Sequence, residues 1–113
     1  MRIKRGTTHV KRRKNLLKKA KGFTWGRKKL IKQARTAVTK AGAHAYRDRR
    51  RKKREKRALW QIRLNAAARE NGTTYSQLMH ALKQKKVDLN RKVLSEIAME
   101  DPDAFAEIVK AVK

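Results

Sequence analysis

The residues best suited to chemistry form one run, Arg47-Asp48-Arg49-Arg50-Arg51-Lys52-Lys53-Arg54-Glu55-Lys56-Arg57. An arginine guanidinium is planar, permanently charged and able to bridge two phosphate oxygens, whereas a lysine ammonium acts as a mobile point charge. On a helical wheel of about 100° per residue, the cations of this run fall almost all round the axis. Asp48 and Glu55 share the one narrow sector without them. Extending the wheel both ways adds Leu30, Ala34, Ala37, Ala41, Leu59, Ile62 and Ala66 to that sector, with Lys52 at its edge. A helix lying along a DNA duplex needs cations on one face. Cations over most of the circumference match phosphates arriving from several sides, as in folded RNA.

Other chemistries lack the residues they require. His9, His44 and His80 are scattered and form no metal-ligand spacing with carboxylates, so none is expected to hold a metal. Gly22-Phe23-Thr24-Trp25-Gly26 lacks the Gly-Lys-Ser/Thr ending of a phosphate-binding loop. Glu96, Glu100, Asp101 and Asp103 cluster where helix caps and dipoles account for them. With no cysteine, disulfides, thiolate zinc sites and cysteine nucleophiles are excluded together. No apolar stretch approaches the ~18 residues of a membrane span, and the basic start has no apolar run of a secretory signal behind it. The expectation is a protein without catalysis, cofactor, metal or small-molecule substrate.

The elements that must position these cations follow from the charge distribution. The 113 residues carry 34 Lys plus Arg against 9 Asp plus Glu, a net charge of +25, and so much like charge calls for an anionic partner. Residues 1–57 hold 25 basic and 2 acidic side chains, and residues 58–113 hold 9 and 7. The reading is an interaction arm over 1–57 and a near-neutral folding unit over 58–113. The expected fold is all-α, a long basic helical extension joined to a small helical domain. Between about Arg27 and Asn71 there is no proline and one interior glycine, Gly42, which could mark a bend. About 45 helical residues at ~1.5 Å each would make a rod near 67 Å long. A shorter helix is expected near Lys11 to Lys21, within a glycine-containing start.

Past Asn71-Gly72, a helix stop, three helices are signalled. Thr74-Tyr75-Ser76-Gln77 fits a capping box, with Tyr75, Leu78, Met79 and Leu82 on one face. Asn90 can cap a helix carrying Val93, Leu94, Ile97 and Ala98. Asp101-Pro102 sets a cap before a helix carrying Ala104, Phe105, Ile108, Val109 and Val112.

The expected RNA-binding residues of the arm are Arg2, Lys4, Arg5, Lys11, Arg12, Arg13, Lys14, Lys18, Lys19, Lys21, Arg27, Lys28, Lys29, Lys32, Arg35, Arg47, Arg49, Arg50, Arg51, Lys53, Arg54 and Arg57. Tyr46, Phe23 and Trp25 lie among them and are expected to stack on bases or sugars, with local packing the alternative for Phe23 and Trp25. In the domain the candidates are Arg63, Arg69, Lys83, Lys85, Lys86, Arg91 and Lys92. Trp60, next to Leu59, Ile62 and Leu64, is expected in the core. Repeated like charges weaken a free helix by ~0.2–0.5 kcal/mol per i,i+4 pair, so the arm should be frayed alone and ordered when bound.

Several blocks carry a family resemblance. In order they are Lys4-Arg5-Gly6, Ala20-Lys21-Gly22-Phe23, Lys40-Ala41-Gly42, Tyr46-Arg47-Asp48-Arg49-Arg50, Leu59-Trp60 and Arg63-Leu64-Asn65-Ala66-Ala67-Ala68-Arg69. Asn71-Gly72, Tyr75-Ser76 and Asp88-Leu89-Asn90-Arg91-Lys92-Val93-Leu94 follow. Essentially end to end, the chain resembles the bacterial large-subunit ribosomal protein L-twenty family (bL20). The resemblance implies a basic helical extension threaded into 23S rRNA and a compact C-terminal helical domain. It also implies a cytoplasmic, ribosomal location, neighbouring large-subunit proteins as partners, and an early role in subunit assembly without a part in peptidyl transfer. Some members also bind their own mRNA and repress its translation. Two positions depart from the pattern. Gln61 follows Trp60 where similar proteins usually carry an aliphatic residue, with Ile62 expected to supply the apolar contact, and Trp25 precedes Gly26 where a glycine one position earlier is common.

The expected mechanism is architectural. The arm neutralises phosphates where rRNA segments converge, the domain fixes its direction and adds a second RNA surface, and the apolar/acidic seam meets a neighbouring protein or packed ribose. A DNA-binding nucleoid protein is the competing class, but Thr74 to Leu82 offers mainly Gln77 and His80 for base reading. A basic amphipathic membrane binder would need a broader apolar face than the arm carries.

Overall fold

The computed structural model describes residues 4 and 6–113. Among them it is all helical, with α1 (Thr8–Lys19), a 3₁₀ turn (Trp25–Lys28), α2 (Ile31–Glu70), α3 (Tyr75–Gln84), α4 (Arg91–Glu100) and α5 (Pro102–Val112). The backbone divides into two compact units, Met1–Arg50 and Arg51–Lys113, and α2 contributes residues to both.

In the first unit α1 ends at Ala20, whose N–H bonds to the Leu16 carbonyl at 3.2 Å. Gly22 then takes φ +85°, a left-handed conformation glycine reaches without penalty, and Phe23 N–H closes the turn on the Ala20 carbonyl at 3.1 Å. Ala20 and Ala34 are fully buried, while Leu16, Leu17, Ile31, Ala37 and Val38 are half-buried. The continuous helix expected from Arg27 therefore starts four residues later, at Ile31. Residues Trp25–Lys28 instead form the 3₁₀ turn, closed by Lys29 N–H on the Gly26 carbonyl at 3.3 Å. From there α2 runs through Gly42 without interruption.

The second unit holds the core. Leu64 and Ala68 of α2 meet Leu78 and Leu82 of α3, Leu94 of α4, and Phe105, Val109 and Val112 of α5. Its ends are closed by the expected caps. Thr74 Oγ1 accepts from Gln77 N–H at 3.4 Å while Thr74 N–H donates to Gln77 Oε1 at 3.3 Å, a reciprocal capping box. Asn90 Oδ1 accepts from Val93 N–H at 2.9 Å, and Asp101 Oδ1 from Ala104 N–H at 3.0 Å ahead of Pro102. At the end of α2, Gly72 (φ +73°) lets Thr73 N–H return to the Ala68 carbonyl at 2.9 Å and Gly72 N–H to Arg69 at 3.1 Å. The same paired closure ends α3, where Lys86 takes the left-handed position at φ +55°. Buried Ser95 donates to the Lys92 carbonyl at 2.9 Å, so no polar side-chain atom is stranded among the described residues.

Two core expectations need correction. Ile62 is 67% exposed, and it does not supply the apolar contact, because the face of α2 turned to the core carries Leu64 and Ala68. That face lies about 150° around the helix from Leu59, Ile62 and Ala66, all three exposed. Trp60 is half-buried but stands outside the core cluster, and it lines one surface depression together with Arg57 and Arg91.

Candidate nucleic-acid interface

Every described cation from Lys4 to Arg57 is exposed. Arg2 and Arg5 lie outside the described residues. On α1, Lys11, Arg12, Arg13, Lys14, Lys18 and Lys19 project from a helix with no acid in its first turn, followed by Lys21 in the turn. Arg27 and Lys28 sit on the 3₁₀ turn, Lys29 follows it, and Lys32 and Arg35 stand on the first turns of α2.

Asp48 and Glu55, the arm's acids, are both engaged. Arg47 Nε donates to Asp48 Oδ1 at 3.1 Å, and Arg51 Nε to Glu55 Oε1 at 2.8 Å. These are the two ion pairs among the described residues. Each is more than half exposed, so each contributes no more than about 1 kcal/mol. Arg51 also precedes Glu55, the weaker order for an i,i+4 pair. Arg47 Nη2 lies 3.0 Å from His44 Nδ1, and Arg50 stacks its guanidinium 3.9 Å over the Tyr46 ring. Tyr46 is 56% exposed, leaving a ring face for a base or a sugar. Arg49, Lys53, Arg54 and Arg57 make no ion pair among the described residues.

The stacking candidates differ from one another. Phe23 is half-buried, whereas Trp25 is 86% exposed with its backbone at φ +59°. A left-handed conformation costs an L-residue about 1–2 kcal/mol, and so exposed a ring returns little of it by burial.

In the second unit, Arg57 comes together with Arg91 and Lys92 around Trp60, in a depression of about 280 Å³. A second depression of about 380 Å³ joins Lys52, Lys53, Lys56 and Arg57 to the same ring. Arg91 is half-buried because its Nε donates to Tyr75 Oη at 2.6 Å, which fixes the side chain between α3 and α4. Arg63 is half-buried, and Arg69 is exposed near the end of α2. Lys83, Lys85 and Lys86 are exposed around the end of α3, apart from the Trp60 depression. His9, His44 and His80 are all exposed.

Sequence reasoning left out Lys40, Lys52 and Lys56. The signal was present for two of them: Lys52, Lys56 and Trp60 recur every four residues and share a helix face. Lys40 lies on the Gln33, Ala37, His44 face, which lines one cleft with Phe23 and Arg27.

No helix among the described residues is long and apolar enough to cross a membrane. The comparisons with known proteins agree with the geometry. The family model described as Ribosomal protein L20 matches residues 2–108. The large ribosomal subunit protein bL20 of a Picosynechococcus strain is 53% identical over 99% of this chain and 97% of its own length. The protein of that name from Chloroflexus aggregans is 55% identical over 96% of this chain and 92% of its own, and that from Chlorobium limicola is 57% identical over 89% and 88%. With exposed cations along its first half, a capped helical core in its second and a family match over nearly every residue, the chain belongs to the ribosomal protein L20 family.

Proposed function

We propose that this chain is a structural protein of the large ribosomal subunit that binds 23S rRNA directly and promotes an early step of subunit assembly. It takes no part in peptidyl transfer. The observation that carries the reading is the arm itself. Its described cations are all exposed, and its acids sit in weak surface pairs. Cations on several sides of one helix match convergent RNA strands better than a single duplex. The functional division falls at residues 57 and 58, with the arm supplying charge and the helical domain direction and a second contact surface around Trp60. Neighbouring large-subunit proteins meet the exposed Leu59, Ile62 and Ala66 seam. The same cationic surface would take a folded leader of the protein's own mRNA on the same physical terms. Its place of work is the ribosome, in the cytoplasm.

Competition binding between a 23S rRNA fragment and duplex DNA of equal length, across a salt series, tests the proposal. Affinity for both falls with salt, and the RNA preference persists at the high-salt end. Equal affinities throughout would favour a DNA-binding protein. Leaving the chain out of an in vitro large-subunit reconstitution stalls assembly at an early particle, and adding it back restores progress.

A further inference from the structure

The turn between α1 and α2 has features that phosphate neutralisation alone leaves unexplained. Its backbone is tightly determined: Leu30 N–H bonds to the Gly26 carbonyl at 2.9 Å and Lys29 N–H at 3.3 Å. A Cβ on Gly26 would come within 2.6 Å of Gln33 Oε1 and 3.1 Å of Leu30 Cδ1, so the turn is pressed against the start of α2. This close approach goes with the strained backbone of Trp25, whose ring is left 86% exposed. A bulky aromatic held in a left-handed conformation without burial contributes little to the fold, and strain of this kind concentrates at binding sites.

Thr24, the residue before Trp25, lines an open cleft of about 730 Å³ between the turn and α2, within the roughly 300–1,000 Å³ of small-ligand sites. Phe23 and Arg27 line it from the turn, and Gln33, Ala37, Lys40 and His44 from α2. No acidic side chain lines it. Among the described residues, Arg27, Gln33 and Lys40 make no side-chain hydrogen bond, so two cations and an amide remain available to a ligand. An aromatic ring and alanine methyl beside two cations and one amide suit a flat, polar-edged base carrying a phosphate.

We propose that this cleft receives one unstacked nucleotide of an RNA strand, with its base against Phe23 and its phosphate between Arg27 and Lys40, while Trp25 stacks on the adjacent base. The inference rests on the reading of the chain as an RNA-binding protein and assigns one site within it. Duplex RNA cannot fill the cleft, because its bases are already stacked and paired.

The test uses the full chain carrying Trp60→Phe, which leaves Trp25 as the one tryptophan of the two in the sequence. Titration with a single-stranded RNA hexamer quenches Trp25 fluorescence, and duplex RNA of equal charge at equal salt quenches it far less. Trp25→Gly, which relieves the backbone strain and leaves the circular dichroism unchanged, weakens hexamer binding by about five- to a hundredfold. Phe23→Leu keeps apolar volume without a stacking face and weakens it by about tenfold. Neither change alters duplex RNA affinity by more than about twofold. Absence of quenching, with hexamer binding retained by both variants, would overturn the cleft assignment and leave the rRNA reading standing. Absence of any preference for RNA over duplex DNA in the chain with Trp60 intact would overturn both.

Discussion

At the residue scale, the cations divide into those free to move and those already held. Arg91 is of the second kind. Its 2.6 Å bond to the Tyr75 hydroxyl joins α3 to α4, and Arg91 lines the Trp60 depression. Tyr75→Phe removes the acceptor, and urea unfolding of the full chain should show a loss of about 1 kcal/mol. An unchanged unfolding midpoint would mean that the bond carries no stability. Lys86 is the converse case, a binding candidate that occupies a position suited to glycine. Lys86→Gly should relieve the left-handed backbone and stabilise the chain by up to about 1 kcal/mol, read by the same unfolding experiment. If Lys86 also contacts RNA, that gain comes with weaker binding at low salt. Residue types announced the basic chemistry, but Trp25 was only partly legible. Its exposure among cations followed from its neighbours, whereas no side-chain preference signals a tryptophan at positive φ.

At the element scale, the helices of the second unit were readable because their boundaries rest on short-range chemistry. Thr74 with Gln77, Asn90, and Asp101 with Pro102 each act within three residues, and each forms the cap its type favours. Thr74→Ala should cost about 1 kcal/mol by opening the capping box at α3. Thermal unfolding followed at 222 nm reads this loss. The orientation of α2 was less legible. Its wheel carries two apolar stripes, and the sequence does not say which one finds partners; tertiary packing selects Leu64 and Ala68 over Leu59 and Ile62. Trp60 sits between the two choices, which explains its half-burial. Gly42 marks the helix where packing places no demand. A Cβ there meets nothing within 4 Å, so Gly42→Ala should favour the helical state by about 1 kcal/mol without a steric penalty. The check is circular dichroism of the free chain, in which helicity rises. A fall in helicity would point to a conformation at Gly42 that alanine cannot adopt.

At the scale of the whole molecule, the governing fact is the separation of charge, with 25 cations and 2 acids over residues 1–57 against 9 and 7 over 58–113. A folding core cannot be assembled from the first set, and a strong electrostatic grip cannot be built from the second. This division was plain from composition alone, and so was the demand for a polyanion. The site's finer geometry, with Arg57, Arg91 and Lys92 gathered round Trp60, depends on how α4 returns to α2 and was beyond any local pattern. Binding of the full chain to rRNA should therefore lose affinity with salt far more steeply than binding of a 58–113 fragment, because each neutralised phosphate releases counterions. The most direct measurement is the position of this chain within a large subunit purified from its source and resolved at side-chain detail. There, α1 and the part of α2 before residue 58 should be ordered, with 23S rRNA phosphates within hydrogen-bond reach on more than one side of the helix. Phosphates along a single face, with the remaining arginines turned to open solvent, would contradict the account.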